Sequence, residues 1–477
     1  MNVYLICIIV FAIILISTGF IVGKFVKSSS DFFVAGRKLN SKLLFTTLIA
    51  ANIGAGSTVG ITGIAYKFGV SSYFWIFMSG IGTLILAFFI GPKIWEKSMK
   101  YNLYTLGDYL DLRYSKYFKG AISIMMIVGT LALFSGQLMG IAWILNVTSG
   151  IHKTTGILIA AVVITLYFSS GGLLSSAIVN ILELVIIVLG FVIALPYALS
   201  AVGGFNGLHM KIASNLGNAI ETTKYFSPTG IGITTIIGWF LMLTPSFFIS
   251  PGLIGKVYGA KDVKTVKKGA FWCSIVQILF AFLPTILGMC AFAVYPNLMQ
   301  ADLALPKIMK ELLPFSISAL ALAAIFAAEV STADAVLYML TTTFSEDIYK
   351  TFINSKVEDK KLLKVSRIVT IVGGILGVCM ALLLTNIVTA LSIFYTLMSV
   401  SLTVPLIFGL FSEKPNTTSA FISAIVGVII TLFLKFYNND KGIWILNAQS
   451  TGIIFSLITM ILFIVFITKK KVKKEQE

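Results

Sequence analysis

Thirteen stretches of about twenty mostly apolar residues follow one another along this chain and leave it few possible folds. They begin near residues 3, 42, 72, 120, 154, 174, 229, 269, 314, 367, 386, 417 and 445, and are numbered here as runs 1 to 13. Only a helix or a closed barrel satisfies its own backbone inside hydrocarbon, and runs of this length fit helices. Of the 477 residues 57% are hydrophobic and 12% charged. A water-soluble packing of such a chain would expose large apolar patches. The expected fold class is therefore an all-α polytopic membrane protein with about 13 transmembrane helices, and the expected partner of its surface is the lipid bilayer.

A net charge of +17 could suggest nucleic acid, but the distribution of the charge argues otherwise. With run 1 passing from outside to inside, 28 of the 36 basic residues fall in alternate loops on one side and in the C-terminal tail. Those loops include Lys93 to Lys119, Lys256 to Lys268 and Lys350 to Arg367. This is the positive-inside pattern. It predicts a multi-pass protein of the cell membrane with the N-terminus outside and the C-terminus cytoplasmic, and no nucleic-acid partner. No Lys or Arg precedes run 1, so it reads as a retained span rather than a cleavable signal. Cys7, Cys273, Cys290 and Cys379 all lie in apolar runs without metal-ligand spacing. The two histidines, His152 and His209, lie outside the runs, and no metalloprotease or phosphate-loop motif occurs. An enzyme is not expected.

Residues 1–477 read as a single membrane transport domain. Tyr104 to Leu110 reads as a short amphipathic helix with Thr105 as its N-cap, and the loop from Gly203 to Pro228 has room for another helix. Two runs look broken. Run 2 contains Ala50-Ala51-Asn52-Ile53-Gly54-Ala55-Gly56-Ser57, whose glycines and polar groups weaken a helix. Run 7 contains Pro245 and then Ser250-Pro251-Gly252. Runs 2 and 7 are five apart, and broken helices at matching places point to a transporter built on inverted repeats. The repeats would be runs 2–6 and 7–11, a 5+5 core over residues 42–411. Residues 3–23, 417–437 and 445–468 would be peripheral. Glycine pairs such as Gly56/Gly60 and Gly373/Gly377 equally suit plain helix packing.

Deep in the runs the sequence places three acids, Glu183, Glu329 and Asp334, and no Lys or Arg. Such acids are retained when they bind something, line water or find a partner. A cation site is easier to build here than an anion site. Ala328, Ser331 and Thr332 are spaced i, i+3, i+4 and share a helix face. Their hard oxygens are too few for a small cation, but an unwound segment could add the carbonyls of Ala50 and Ile53. The joint expectation is a Na+ site between runs 2 and 9. The alternative for Ser331 and Thr332 is bonding back to carbonyls one turn earlier.

Several motifs together resemble the sodium:solute symporter family over nearly the whole chain. They are Ala50 to Ser57, Gly171-Gly172-Leu173, Ile254 to Asp262, Ala327 to Asp334, and Asp347-Ile348-Tyr349. The resemblance implies a LeuT-type inverted-repeat fold and sodium-coupled alternating access. It also implies carbonyl ligands from Ala50, Ile53 and Ala328 and hydroxyl ligands from Ser331 and Thr332. The chain departs from the family in two places. Asn180 stands where members often carry an Asp on the inner sodium path or at a second sodium site, with Glu183 one turn on. Glu329 fills a slot that is usually apolar, and is open to a substrate contact, a proton or a helix-to-helix bond. Asp334 has no settled role.

The solute site is expected near mid-membrane between the broken helices. Its candidates are Gly54, Gly56, Ser57, Phe74, Trp75, Ser135, Gln137, Trp239, Thr244, Ser246, Tyr395 and Ser399. Each aromatic also fits an interface belt or packing. The set favours a small neutral or zwitterionic solute. The expected function is secondary symport of sodium with such a solute. The alternative is a channel-like or sensor protein that kept the fold.

Overall fold

Every apolar run forms helix in the computed structural model, which describes residues 3–24, 28–168, 172–438 and 440–476. Gly171 lies outside the described residues. Eleven helical stretches among the described residues are long and apolar enough to cross a membrane, and Lys153–Leu166 is an apolar helix of shorter length. Run 2 is split: Ser41–Asn52 stands alone, and its second half continues into run 3 within Gly56–Tyr101. Described strands amount to two isolated bridges.

The first break follows from its sequence. Asn40 caps the helix, its side chain accepting from the N–H groups of Lys42 and Leu43. The helix stops at Asn52, and Ile53 is extended at φ −105°, ψ 93°. The Gly54 N–H turns away from the helix ladder to the Ser57 hydroxyl, 2.9 Å away. A wider turn at Gly56–Gly60 then restarts the run, which continues as Ile61–Phe68. Gly54 is required by close approach: a Cβ there would sit 2.3 Å from the Thr332 hydroxyl and 2.8 Å from the Gln137 side-chain oxygen.

The second break falls at Ser250, not at Pro245. Ile233–Ile249 carries Pro245 inside an unbroken helix. Ser250 precedes Pro251, which biases it toward extended backbone, and it adopts ψ 123°. Pro251 opens the half-helix Pro251–Tyr258, where a first-turn proline is tolerated.

Around these two runs the core closes by helix pairs. Run 6 (Gly172–Val202) packs along run 9 (Phe315–Thr342), and run 4 (Lys116–Ser149) along run 11 (Ile387–Phe411). Run 8, built of Val263–Phe280 and Phe282–Val294, packs on runs 2 and 3 through its first part. Runs 12 and 13 pair with each other and lean on run 11, while run 1 lies on runs 6 and 9. The 203–228 loop holds two helices, Gly204–Leu216 and Ala219–Phe226. The helix Leu106–Arg113 starts at a capping box of Thr105 and Asp108. Asp108 in turn binds Lys119 at 2.8 Å, and Asp347 approaches the same ammonium at 3.4 Å. That triangle staples the end of the bundle that carries the basic loops.

Candidate functional site

The break in run 2 lies directly against the middle of run 9. The Thr332 hydroxyl donates to the Ala50 carbonyl at 2.8 Å. Ser331 Oγ lies 3.2 Å from the same carbonyl and 3.1 Å from the Ala328 carbonyl. Thr332 thus bonds across to run 2 instead of back along its own helix, and Ser331 reaches both ways. The Ala50 carbonyl is free for this because its usual partner, the Gly54 N–H, is held by Ser57. The Ile53 carbonyl, in the extended residue of the break, accepts no hydrogen bond among the described residues. Two hydroxyls and three carbonyls in a dry setting are hard oxygen donors of the type small cations take.

Beside them is a cavity of about 30 Å³. It is lined by Gly54, Gly56, Ser57, Trp75, Gln137 and Tyr395 of the expected set, with Thr332 of the cation set. Gln137 accepts from the Ala55 N–H at 2.8 Å, so run 4 holds the broken segment. Trp75 meets Tyr395 at 6.3 Å and Trp239 at 5.3 Å, both edge to face. Trp239 itself lines a separate cavity of about 330 Å³ with Gly238 and Gln449. Ser246 lines a third cavity, of about 40 Å³, shared with Lys256 and Tyr395.

Six expected solute residues are not on the 30 Å³ cavity: Trp239 and Ser246 line the other two, and four more are held elsewhere for visible reasons. Phe74 stacks on Tyr73 at 4.2 Å, away from it. Thr244 donates to the Met78 carbonyl at 3.0 Å and ties run 7 to run 3. Ser399 accepts from the Gln449 amide at 3.4 Å. Ser135 bonds back to the Ala132 carbonyl at 2.7 Å. Residues not anticipated take their place: Phe247, Leu391, Ser79 and Asn52 line the cavity. Asn52 donates to Gln277 at 3.1 Å, and Gln277 donates to Ser79 at 2.6 Å. The lone amide of Gln277 in an apolar run was the available signal for this network. Phe247 and Leu391 carried none.

The acids divide. Glu329 is fully buried, and its Oε1 lies 2.8 Å from the Thr58 hydroxyl. That hydroxyl is also 2.9 Å from the Gly54 carbonyl, and its one proton serves one of the two at a time. Glu329 packs against Gly140, where a Cβ would come within 2.8 Å of the carboxyl. Asp334 and Glu183 are buried with no hydrogen bond to any of their four carboxyl oxygens. Ser176 is beside Asp334, but its own proton goes to the Gly172 carbonyl at 3.0 Å. The Asn180 amide donates to the Thr47 hydroxyl at 3.2 Å, and its oxygen is unpaired.

The expectation of no basic residue deep in the runs is corrected. Lys256 is 1% exposed and donates to the Thr47 carbonyl at 2.6 Å. The helix restarts at Pro251, so Lys256 is carried into the bundle rather than into a loop. Its apolar flank, Ile254 and Val257, was the signal.

An all-helical membrane bundle, broken in two runs and with a polar cavity beside the first break, has the architecture of a LeuT-type secondary transporter. The pattern of the sodium:solute symporter family matches residues 32–427, and the chain belongs to that family, one of transporters and not enzymes. It is 28% identical over 445 residues to the sodium/glucose cotransporter of Vibrio parahaemolyticus, covering 86% of this chain and 80% of that one. It is 29% identical over 428 residues to the sodium/pantothenate symporter of Escherichia coli K12, covering 86% and 85%. Its fold is similar to that of a Na+-coupled sialic acid symporter solved in a substrate-bound outward-open state. The TM-score is 0.83 at 19% identity, over 98% of each chain. A nucleobase-cation-symport-1 family transporter in a closed conformation is more distant, at TM-score 0.63 and 12% identity over 92% of this chain and 94% of that one.

Proposed function

We propose that this chain couples inward sodium flow to uptake of a small neutral or zwitterionic organic solute by alternating access. The observation that carries the reading is the meeting of Thr332 and Ser331 with the Ala50 carbonyl across two helices. Na+ is the co-transported ion. Its ligands are the carbonyls of Ala50, Ile53 and Ala328 and the hydroxyls of Ser331 and Thr332. Binding there draws run 9 onto the broken run 2 and so orders the wall that the solute touches. Gly54, Gly56, Ser57, Trp75, Gln137 and Tyr395 form that wall. The membrane potential then adds about 2.3 kcal/mol per charge per 100 mV to the driving force.

Relatives named for glucose and pantothenate, and a structural neighbour named for sialic acid, support a small polar cargo. The absence of a basic residue among those lining the 30 Å³ cavity favours a neutral or zwitterionic one. The transport domain is a core of residues 42–411 with peripheral helices. All thirteen runs cross, with the N-terminus outside and the C-terminus cytoplasmic. Cysteines introduced at Lys441 and Lys361 test the orientation: an impermeant maleimide added to intact cells labels the first and spares the second.

The function is tested in two stages. A thermal-shift screen of small metabolites, with sodium and with potassium in its place, identifies the solute. Uptake of that solute into proteoliposomes is then measured under an inward sodium gradient. Uptake at the same rate with potassium replacing sodium would overturn the proposal.

A further inference from the structure

The cavity of about 330 Å³ beside Trp239 has no part in the function just described. It lies between the start of run 7, the first half of run 11, the end of run 12 and the start of run 13. This end of the bundle is opposite the basic loops, and is the outer end in the orientation proposed above. The three cavities follow one another along run 7. Trp239 and Met242 line the largest, Phe247 the 30 Å³ one, and Phe247 with Ser250 the 40 Å³ one. A solute arriving from outside meets the largest first. The way on passes Trp239, which stands edge to face on Trp75 of the 30 Å³ cavity.

The large cavity has a buried polar floor and a charged mouth. Trp239, Thr431 and Gln449 are each less than a tenth exposed, whereas Lys435 and Asp440 are exposed. The ion pairs among the described residues are those of Lys119 with Asp108 and Asp347 and of Lys350 with Glu346, so Lys435 and Asp440 line one space without pairing. Asp440 is fixed through its backbone: its carbonyl accepts from the Ala448 N–H at 3.1 Å, and its N–H donates to the Leu434 carbonyl at 3.3 Å. Its carboxylate is left to the cavity. One cation and one anion held apart across a common space match a molecule that carries both charges. A net anion would meet Asp440 and a net cation would meet Lys435, so each is disfavoured. The volume falls in the range of small-molecule sites, about 300–1,000 Å³. We propose that this cavity is a loading site that takes the solute as a zwitterion, its carboxylate on Lys435 and its ammonium or quaternary nitrogen on Asp440. The proposal rests on the symport reading above and narrows its solute class to zwitterions. The sodium ligands belong to the other cavity, so loading needs no sodium.

The test is protection of an introduced cysteine in the full chain on intact cells, with potassium in place of sodium. Thr234 is exposed at the cavity mouth, and Thr234→Cys is labelled there with an impermeant maleimide. Wild type, with its four native cysteines, is the blank. The probes are a mixture of neutral L-α-amino acids with glycine betaine, and a mixture of D-glucose and D-galactose. The zwitterions are expected to slow labelling about threefold or more and the hexoses to leave it unchanged. Adding Lys435→Gln or Asp440→Asn to Thr234→Cys is expected to remove the protection. Both positions are exposed, and Asn tolerates the left-handed backbone of Asp440 at φ 64°, so these variants fold. Labelling that the zwitterions do not slow overturns the proposal. Equal protection by the hexoses overturns it too, as does protection that survives both substitutions. Uptake with potassium in place of sodium, measured as above, decides the symport reading separately.

Discussion

The hydroxyl of Thr332 and the carbonyl of Ala50, 282 positions apart in the chain, meet at 2.8 Å in the interior of the bundle. Removing this contact and its neighbour with Ser331→Ala and Thr332→Ala leaves Ala50 bonded to nothing from run 9. Sodium affinity is expected to fall at least tenfold, about 1.4 kcal/mol or more. Sodium-dependent stabilisation in a melting assay should disappear, and the sodium-free melting temperature should also fall, because the buried Ala50 carbonyl loses its partners at a cost of about 1–3 kcal/mol. Sodium stabilisation equal to wild type would remove these hydroxyls from the site.

Gln137 holds the run 2 break through the Ala55 N–H. Gln137→Ala leaves that buried donor unpaired, which costs about 1–3 kcal/mol. The expected outcome is a lower melting temperature together with weaker sodium binding, because the Ile53 and Ala50 carbonyls belong to the segment that is loosened. A loss of stability with unchanged sodium affinity would show that the break is held elsewhere.

Glu329 and Gly140 are matched in size. Gly140→Ala forces a methyl group to within 2.8 Å of the carboxyl and is expected to destabilise by about 1–3 kcal/mol. In a Glu329→Ala background the same change should cost much less, so the two substitutions couple strongly in a double-mutant cycle of thermal unfolding. Glu329→Gln keeps a partner for Thr58 and should fold normally. Transport by Glu329→Gln matching wild type at every pH would assign this residue to packing alone.

Asp302, in the turn Ala301–Leu303 between runs 8 and 9, is 6% exposed, and burial pushes its pKa above the ordinary 3.8, against smaller opposing effects from nearby donors and Lys153. The folded state therefore holds this proton to higher pH than the unfolded chain does. Stability falls as pH rises from the unfolded value through the folded one, then levels off. Asp302→Asn removes the loss. The variant is expected to melt at or above wild type at pH 7.5, with the difference shrinking at pH 4. A variant that melts lower at pH 7.5 contradicts this sign.

The sequence exposed the membrane class, the break in run 2 and the Ser331–Thr332 face because each rests on a local rule. Length and polarity define a span, two glycines weaken a helix, and a 3.6-residue period places hydroxyls together. Pro245 misled because a proline's effect depends on whether neighbouring helices accommodate it, which is a tertiary property. Lys256 misled for a related reason: a basic residue near a run's end looks like a loop anchor until the helix restart carries it inward. Phe247 and Leu391 could not be read at all. An apolar residue facing a cavity and one facing a neighbour look alike in sequence.

The contact between Trp75 and Trp239 has a practical consequence. Two of the chain's six tryptophans lie edge to face, Trp75 on the 30 Å³ cavity and Trp239 on the separate one of about 330 Å³, with Tyr395 beside the first. A cavity of about 30 Å³ holds roughly a water molecule, so any organic cargo must displace side chains that line it, Trp75 among them. The indoles thus form an optical reporter already built into the protein. Emission from an unlabelled sample should shift when cargo arrives, and the time course would give the opening rate without any transport assay.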